Sequence, residues 1–327
     1  MLRTLPKLSQ IQRPVRDRLE AVVEELRRIV LTDFTPIEEV NDHLLWARGK
    51  MFRATLLLLS NEIGDRPHPR AVTLSAIVEL VHLATLVHDD SVDHSVLRRG
   101  MPTVNALWNH QTAVIMGDYL YSRAIMELTL FGRLELLQVL SRAANEMSIG
   151  EMRQLVSADQ VRYTEAEYER LIECKTASLM SAACEMGAAA GEPRWREALA
   201  RYGFELGRAF QIADDLIDYT ESEAVTGKPA GHDLREHKMT LPLIHALGAM
   251  DRAARHEVEE FFADPDPTDD GIARVVALVH EHGGLDYARS RAQHFGARAL
   301  DALQPLPDEP ATVSLRDAVA YVIDRRR

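Results

Sequence analysis

Apolar residues recur at intervals of three and four along nearly the whole chain, as at Leu134, Leu137, Leu140 and Ala144, and no segment alternates with period two over a strand's length. The pattern predicts helices and no sheet. Proline marks the breaks, because a helix interior tolerates it only at a cost of about 3 kcal/mol, and none occurs between Pro102 and Pro193. In order, the spacing predicts helices over Val15 to Leu31, Ile37 to Trp46, Phe52 to Ile63, Arg70 to His88, 110 to 131, 134 to 158, 165 to 190 and 194 to 220. Further amphipathic helices follow from Leu241, interrupted at Ala263 to Asp270 and at Gln304 to Pro310. Gly49 reads as the left-handed residue of a helix C-cap, and Thr226 to Gly231 as a loop. The expected architecture is an all-α bundle of about ten to thirteen helices packed ridges into grooves. No Gly/Ser/Pro-rich linker divides it, so a single domain over 1–327 is expected.

Charge narrows the partners. A net charge of −12 argues against nucleic acid, which calls for a broad basic patch. No signal peptide is evident, and no apolar run reaches the roughly 20 residues of a membrane span. Cys174 and Cys184 lack zinc-ligand spacing and suit a reducing, cytoplasmic setting.

Against this background two acidic clusters stand out: His88-Asp89-Asp90-Ser91-Val92-Asp93 and Ala213-Asp214-Asp215-Leu216-Ile217-Asp218. Each is Asp-Asp-x-x-Asp, which on a helix stacks the first and last carboxylate on one face. Each also ends a long apolar helix, where the macrodipole disfavours negative charge. A cation should offset it. Two such clusters facing each other would bind hard divalent ions, most naturally Mg²⁺ shared with phosphate or diphosphate oxygens. A Glu-x-x-His at Glu79 and His82 suggests a di-iron bundle, but no second copy exists to complete one.

The basic residues supply the counterpart. Only five of 38 are lysine: Lys7, Lys50, Lys175, Lys228 and Lys238. Four lie where anion ligands would: Lys50 with Arg53 beside Gly49, Lys175-Thr176 within an apolar helix, Lys228 in a Gly-Pro loop, and Lys238 before Met239-Thr240-Leu241-Pro242. With Arg98 and Arg99 they carry enough charge for two diphosphates, one held through metal and one directly.

In this order, Gly49-Lys50-Met51-Phe52-Arg53, His82, the first Asp cluster with Arg98-Arg99-Gly100, Gly117-Asp118-Tyr119-Leu120, Lys175-Thr176, Phe210-Gln211 with the second cluster, Gly227-Lys228-Pro229 with Gly231 and Asp233-Leu234, and Lys238-Met239-Thr240-Leu241-Pro242-Leu243 resemble the trans-isoprenyl diphosphate synthases, or polyprenyl synthetases. The resemblance implies an isoprenoid-synthase fold around a central cavity, a homodimer, and head-to-tail condensation of isopentenyl diphosphate with an allylic diphosphate. It further implies that Asp89, Asp93, Asp214 and Asp218, helped by Asp90 and Asp215, hold three Mg²⁺ ions on the allylic diphosphate. Arg98, Lys175, Lys228 and Lys238 would complete that cage, and Thr176 and Gln211 would face the allylic cation. Lys50, Arg53, His82 and Arg99 match the positions that bind isopentenyl diphosphate, whose proton would pass to the departing diphosphate. Ala54, Met101 and His237 depart from the family pattern, the last where Gly often precedes the Lys.

Product length is read from the residues four and five positions before the first Asp. Here these are Thr85 and Ala84, both small where bulky residues would floor the cavity, so the resemblance implies a product of twenty carbons or more. A class I terpene cyclase shares the first motif but lacks the second basic site, and a non-catalytic subunit or scaffold would not need both Asp clusters.

Overall fold

The computed structural model describes residues 6–46, 49–157, 163–220 and 231–324. Lys228, the loop expected at 226–231 apart from Gly231, and Ala47-Arg48 of the expected C-cap lie outside them. The chain is all-α as expected, apart from a two-residue hairpin, Leu97–Arg98 with Met101–Pro102, which turns through Arg99 and Gly100.

Observed boundaries follow the periodicity closely. Helices cover Arg16–Ile29, Thr35–Trp46, Phe52–Glu62, His110–Phe131, Leu134–Ser157 and Arg196–Thr220. The last is entered through a 3₁₀ turn at Pro193–Trp195. Asn109 caps one of them by accepting from the Thr112 N–H at 2.8 Å, and Gly132 (φ 80) ends it in the left-handed conformation. Two boundaries differ from expectation. The helix carrying the first cluster runs Ala71–Val92, so Asp89 and Asp90 lie inside its last turn and Asp93 is the cap. Residues 165–190 form one rod as expected, but Glu173–Ala177 within it is π-helical.

Among the described residues, Ala71–Val92 is the one helix long and apolar enough to cross a membrane by length and composition, against the expectation that no apolar run reaches roughly 20 residues. More than half of its apolar window is buried, from Leu74 through Ile77, Val78 and Leu80 to Ala84, as a core helix would be. It packs against Phe52–Glu62 and His110–Phe131, while Arg196–Thr220 packs against Ser178–Ala190 and Gly284–Ala302. Both Asp motifs thus ride on central rods. A second, smaller apolar cluster under the C-terminal helices, including Leu243, Val258, Phe262, Val275 and Val279, borders the main core through Tyr163 and Ile244.

Close packing sets the register between the rods. At Gly207 a Cβ would fall 2.5 Å from the Ala177 Cα, so only glycine lets Arg196–Thr220 lie against the π-helical segment. Beside that crossing Arg208 is buried among Glu169 (2.8 Å), Glu173 (3.5 Å) and Glu205 (3.6 Å), its guanidinium 3.7 Å from the centre of the Phe295 ring. Such a charge stays buried because several carboxylates and a ring face offset its desolvation.

Candidate active site

The first motif is laid out around two lysines. Lys175 Nζ lies 3.6 Å from Asp89 and 2.8 Å from Glu151, and donates to Gln154 at 3.1 Å. Burial pushes the Asp89 carboxyl up to about 6, with Lys175 opposing and Glu151 and Asp93 adding to the rise. Lys238 Nζ lies 3.8 Å from Asp93 and 2.5 Å from Glu236. Burial works against its charge, but Glu236 and Asp233 more than offset that and hold the ammonium above its usual range. Asp90 points elsewhere: it is buried and takes Arg98 Nε on both oxygens at 2.8 Å.

The second motif divides in the same way. Asp214 is exposed. Asp218 accepts the His232 and Asp233 backbone N–H groups at 3.1 and 3.0 Å, anchoring the short turn His232–Arg235. Asp215 is buried, accepting the Tyr168 hydroxyl at 2.5 Å and the Gln211 amide at 2.8 Å. Burial raises its carboxyl well above the ordinary range, the Asp233 charge adds, and the two donated bonds oppose. Thr176 in turn donates to Gln211 Oε1 at 2.7 Å, so the expected pair meets. Asp233 links the two motifs. Burial and the Asp218 charge push it up to about 6 while Lys238, the partner of Asp93, opposes.

The expected second basic site is also assembled. A Cβ at Gly49 would fall 2.5 Å from Arg99 Nη1, so Arg99 folds back against the turn holding Lys50. The left-handed residue in that turn is Met51 (φ 52), and what the structure ties to Gly49 is room for the Arg99 guanidinium. Burial lowers the Arg53 guanidinium from its usual value, with Glu79 opposing and Arg99 adding. Its Nε is buried with no hydrogen-bond partner among the described residues. Burial, then Arg53, Arg99 and Arg98, drive His82 well below the usual histidine range, so it is neutral at pH 7. An orphaned guanidinium N–H beside a neutral imidazole and further cations is a ready anion site.

Further participants beside Glu236 lie outside both Asp motifs and the basic residues. Glu151 and Gln154, one turn apart, grip Lys175. Glu79, considered only as half of a metal pattern, is the carboxylate that balances Arg53 and Arg99 and accepts the Ala54 N–H at 2.9 Å. Tyr168 gave no signal beyond that of a core aromatic at helical spacing. His88, by contrast, is structural: its ring fills the space where a Gly117 side chain would be and lies 3.0 Å from the Val114 carbonyl.

With this geometry the comparisons with known proteins agree. A family model described as polyprenyl synthetase matches residues 35–279. The chain belongs to the polyprenyl synthetase family. It is 38% identical over 320 residues to an all-trans-nonaprenyl-diphosphate synthase (geranyl-diphosphate specific) of Rhodobacter capsulatus, covering 97% of this chain and 98% of that one. Its structure is similar to a decaprenyl diphosphate synthase from Rhodobacter capsulatus (TM-score 0.92, 37% identity, 98% and 100% of the two chains). It is also similar to a polyprenyl synthase from Caulobacter crescentus solved with calcium and isoprenyl diphosphate (TM-score 0.94, 30% identity, 99% and 100%).

Membership in the polyprenyl synthetases makes one departure instructive. His237, where the family often has Gly, takes φ 52 and packs its ring 5.4 Å from that of Phe262. The other non-glycine residues with positive φ are Met51, His94 and Arg99, so among the described residues all four flank the two motifs or the basic cluster. Backbone strain of this kind concentrates where a site is built.

Proposed function

We propose that this polyprenyl synthetase is a trans-prenyltransferase that condenses isopentenyl diphosphate with an allylic diphosphate to give an all-trans product of twenty carbons or more. The observation that carries this is the pairing of two Asp motifs, bridged by Lys238 and Asp233, with a separate cluster of Arg53, Arg99 and neutral His82 balanced by Glu79. One half suits a diphosphate held through metal, the other a diphosphate held directly.

The donor set fits Mg²⁺. Its ligands would be carboxylate oxygens alone, and among the described residues no three acidic, His or Cys side chains converge tightly enough to hold an ion by themselves. Mg²⁺ tolerates that, because it completes its shell with water and phosphate oxygens. Asp89, Asp93, Asp214 and Asp218 are the residues we assign to it, for three ions in all. Asp90 and Asp215 support them through Arg98, Tyr168 and Gln211. When bound, Mg²⁺ supplies Lewis-acid stabilisation of the leaving diphosphate. Lys175 and Lys238, which lie beside Asp89 and Asp93, would bind the oxygens of the same diphosphate together with Arg98 and Lys228. Thr176 and Gln211 direct oxygen lone pairs at the allylic cation. Lys50, Arg53, His82 and Arg99 hold isopentenyl diphosphate so that its double bond attacks, and the proton it loses passes to the departing diphosphate.

The partner we assign is a second copy. Ile115, Met126 and Leu130 are 55 to 72% exposed and project from one face of His110–Phe131, and Met152 and Leu155 are exposed on the next helix. Exposed apolar side chains grouped on one helix face support an association surface. Both cysteines are free and buried, which suits the cytoplasm. Replacing Asp89 with Asn tests the site: turnover should fall by about three orders of magnitude with helicity unchanged, the scale on which charge stabilisation acts in such sites. Near-normal turnover would refute the metal role.

A further inference from the structure

Asp215 differs from the other carboxylates of the motifs in that both of its oxygens are already committed inside the protein. Oδ2 accepts the Tyr168 hydroxyl at 2.5 Å and Oδ1 accepts Gln211 Nε2 at 2.8 Å, and Asp215, Tyr168 and Thr176 are all at most 5% exposed. The direction of the chain follows from proton counting. Tyr168 has a single O–H and gives it to Asp215 Oδ2, and Gln211 turns its Nε2, which can only donate, toward Asp215 Oδ1. The carbonyl end then faces Thr176, which donates its own single proton to it at 2.7 Å. After these bonds are made, the Thr176 and Gln211 oxygens have lone pairs and no proton left to present. That is the polarity a carbocation requires, and a flipped amide would turn N–H groups toward it instead.

We propose that Tyr168 and Asp215 are positioning residues: together they lock the Gln211 amide so that its oxygen, beside that of Thr176, faces the allylic cation. The inference rests on the prenyltransfer reading above. It assigns to Asp215 an orienting role within Asp-Asp-x-x-Asp in place of direct contact with a cation. The π-helical turn Glu173–Ala177 and the absence of a side chain at Gly207 bring Thr176 within reach of Gln211, so the arrangement is built by the fold.

The test compares Tyr168→Phe, Asp215→Asn and the double variant with the unaltered protein. In Asp215→Asn the amide oxygen keeps the Tyr168 bond and its NH₂ faces Gln211, which must flip. We expect kcat to fall about 100-fold, as on loss of an oriented dipole. Tyr168→Phe should cost about tenfold, the scale of one buried hydrogen bond. KM for isopentenyl diphosphate and the Mg²⁺ concentration at half-saturation should stay unchanged in both, and the double variant should be no slower than Asp215→Asn, because the residues act as one unit. Calorimetry with an allylic diphosphate analogue carrying an ammonium at the cationic carbon, against its uncharged isostere, reads the polarity directly. The unaltered protein should prefer the ammonium and both variants should lose that preference. A raised Mg²⁺ half-saturation in Asp215→Asn, or unaltered kcat and analogue preference in Tyr168→Phe, would overturn the proposal. An unaltered protein that prefers the ammonium analogue yet elongates nothing would support the positioning and overturn only the reading of the reaction.

Discussion

Charge placement at single residues explains most of the site. Asp89 and Asp93 sit at a helix C-terminus, where the macrodipole opposes them, and each is answered by a lysine at 3.6 to 3.8 Å. The consequence for pH has a definite sign. Asp89 holds its proton up to about pH 6 in the folded, metal-free protein, against the ordinary carboxylate value of 3.8. The native state therefore binds more protons than the unfolded chain between these values, and the contribution of this group to stability falls as pH rises through them. Because the same proton competes with a cation, the rise in Tm on adding Mg²⁺ should be larger at pH 7.5 than at pH 5. Equal shifts in a thermal melt would contradict the assignment of Asp89. Both clusters were legible in the sequence because spacing alone sets their shared helical face. That Asp90 and Asp215 turn away to Arg98 and Tyr168 was not, since a helical projection says nothing of which neighbour a side chain meets.

Among the elements, the helices from Phe52 to Thr220 follow the three-and-four spacing to within a few residues, because each buries an apolar stripe and ends at Gly, Pro or a polar cap. The π-helical turn at Glu173–Ala177 left no trace in that spacing: its residues read as continuous helix, and the departure comes from packing against Gly207. Along Ala71–Val92, Thr85 is half-buried and shares the face of Asp89, while Ala84 is 2% exposed and lies in the buried stripe with Val78, Val81 and Val87. A bulky residue at Thr85 would stand one turn, or roughly 5 Å, below Asp89 on its face, and for Ala84 a part in product length is what the family resemblance implies. Ala84→Phe should therefore shorten the product by one or more five-carbon units, as read by chromatography of the dephosphorylated alcohols. An unchanged product distribution would remove this helix from control of length.

At the scale of the molecule, the chain brings together residues as distant as Asp93 and Lys238, and we take it to fold as a single domain whose C-terminal part reaches the first motif through Lys238 and the second through Asp233. For the dimer proposed on the exposed stripe of His110–Phe131, light scattering should give twice the chain mass, and Ile115→Glu should shift it toward the monomer. A monomeric mass for the unaltered protein would refute the assignment. The central claim is that one chain holds two diphosphates and joins their carbon skeletons. Incubation of the purified protein with isopentenyl diphosphate, a series of allylic primers and Mg²⁺, followed by mass analysis of the products, tests it most directly. The account predicts Mg²⁺-dependent products that grow by five carbons to a length of twenty or more. A hydrocarbon formed without elongation, or no turnover with any primer, would contradict it.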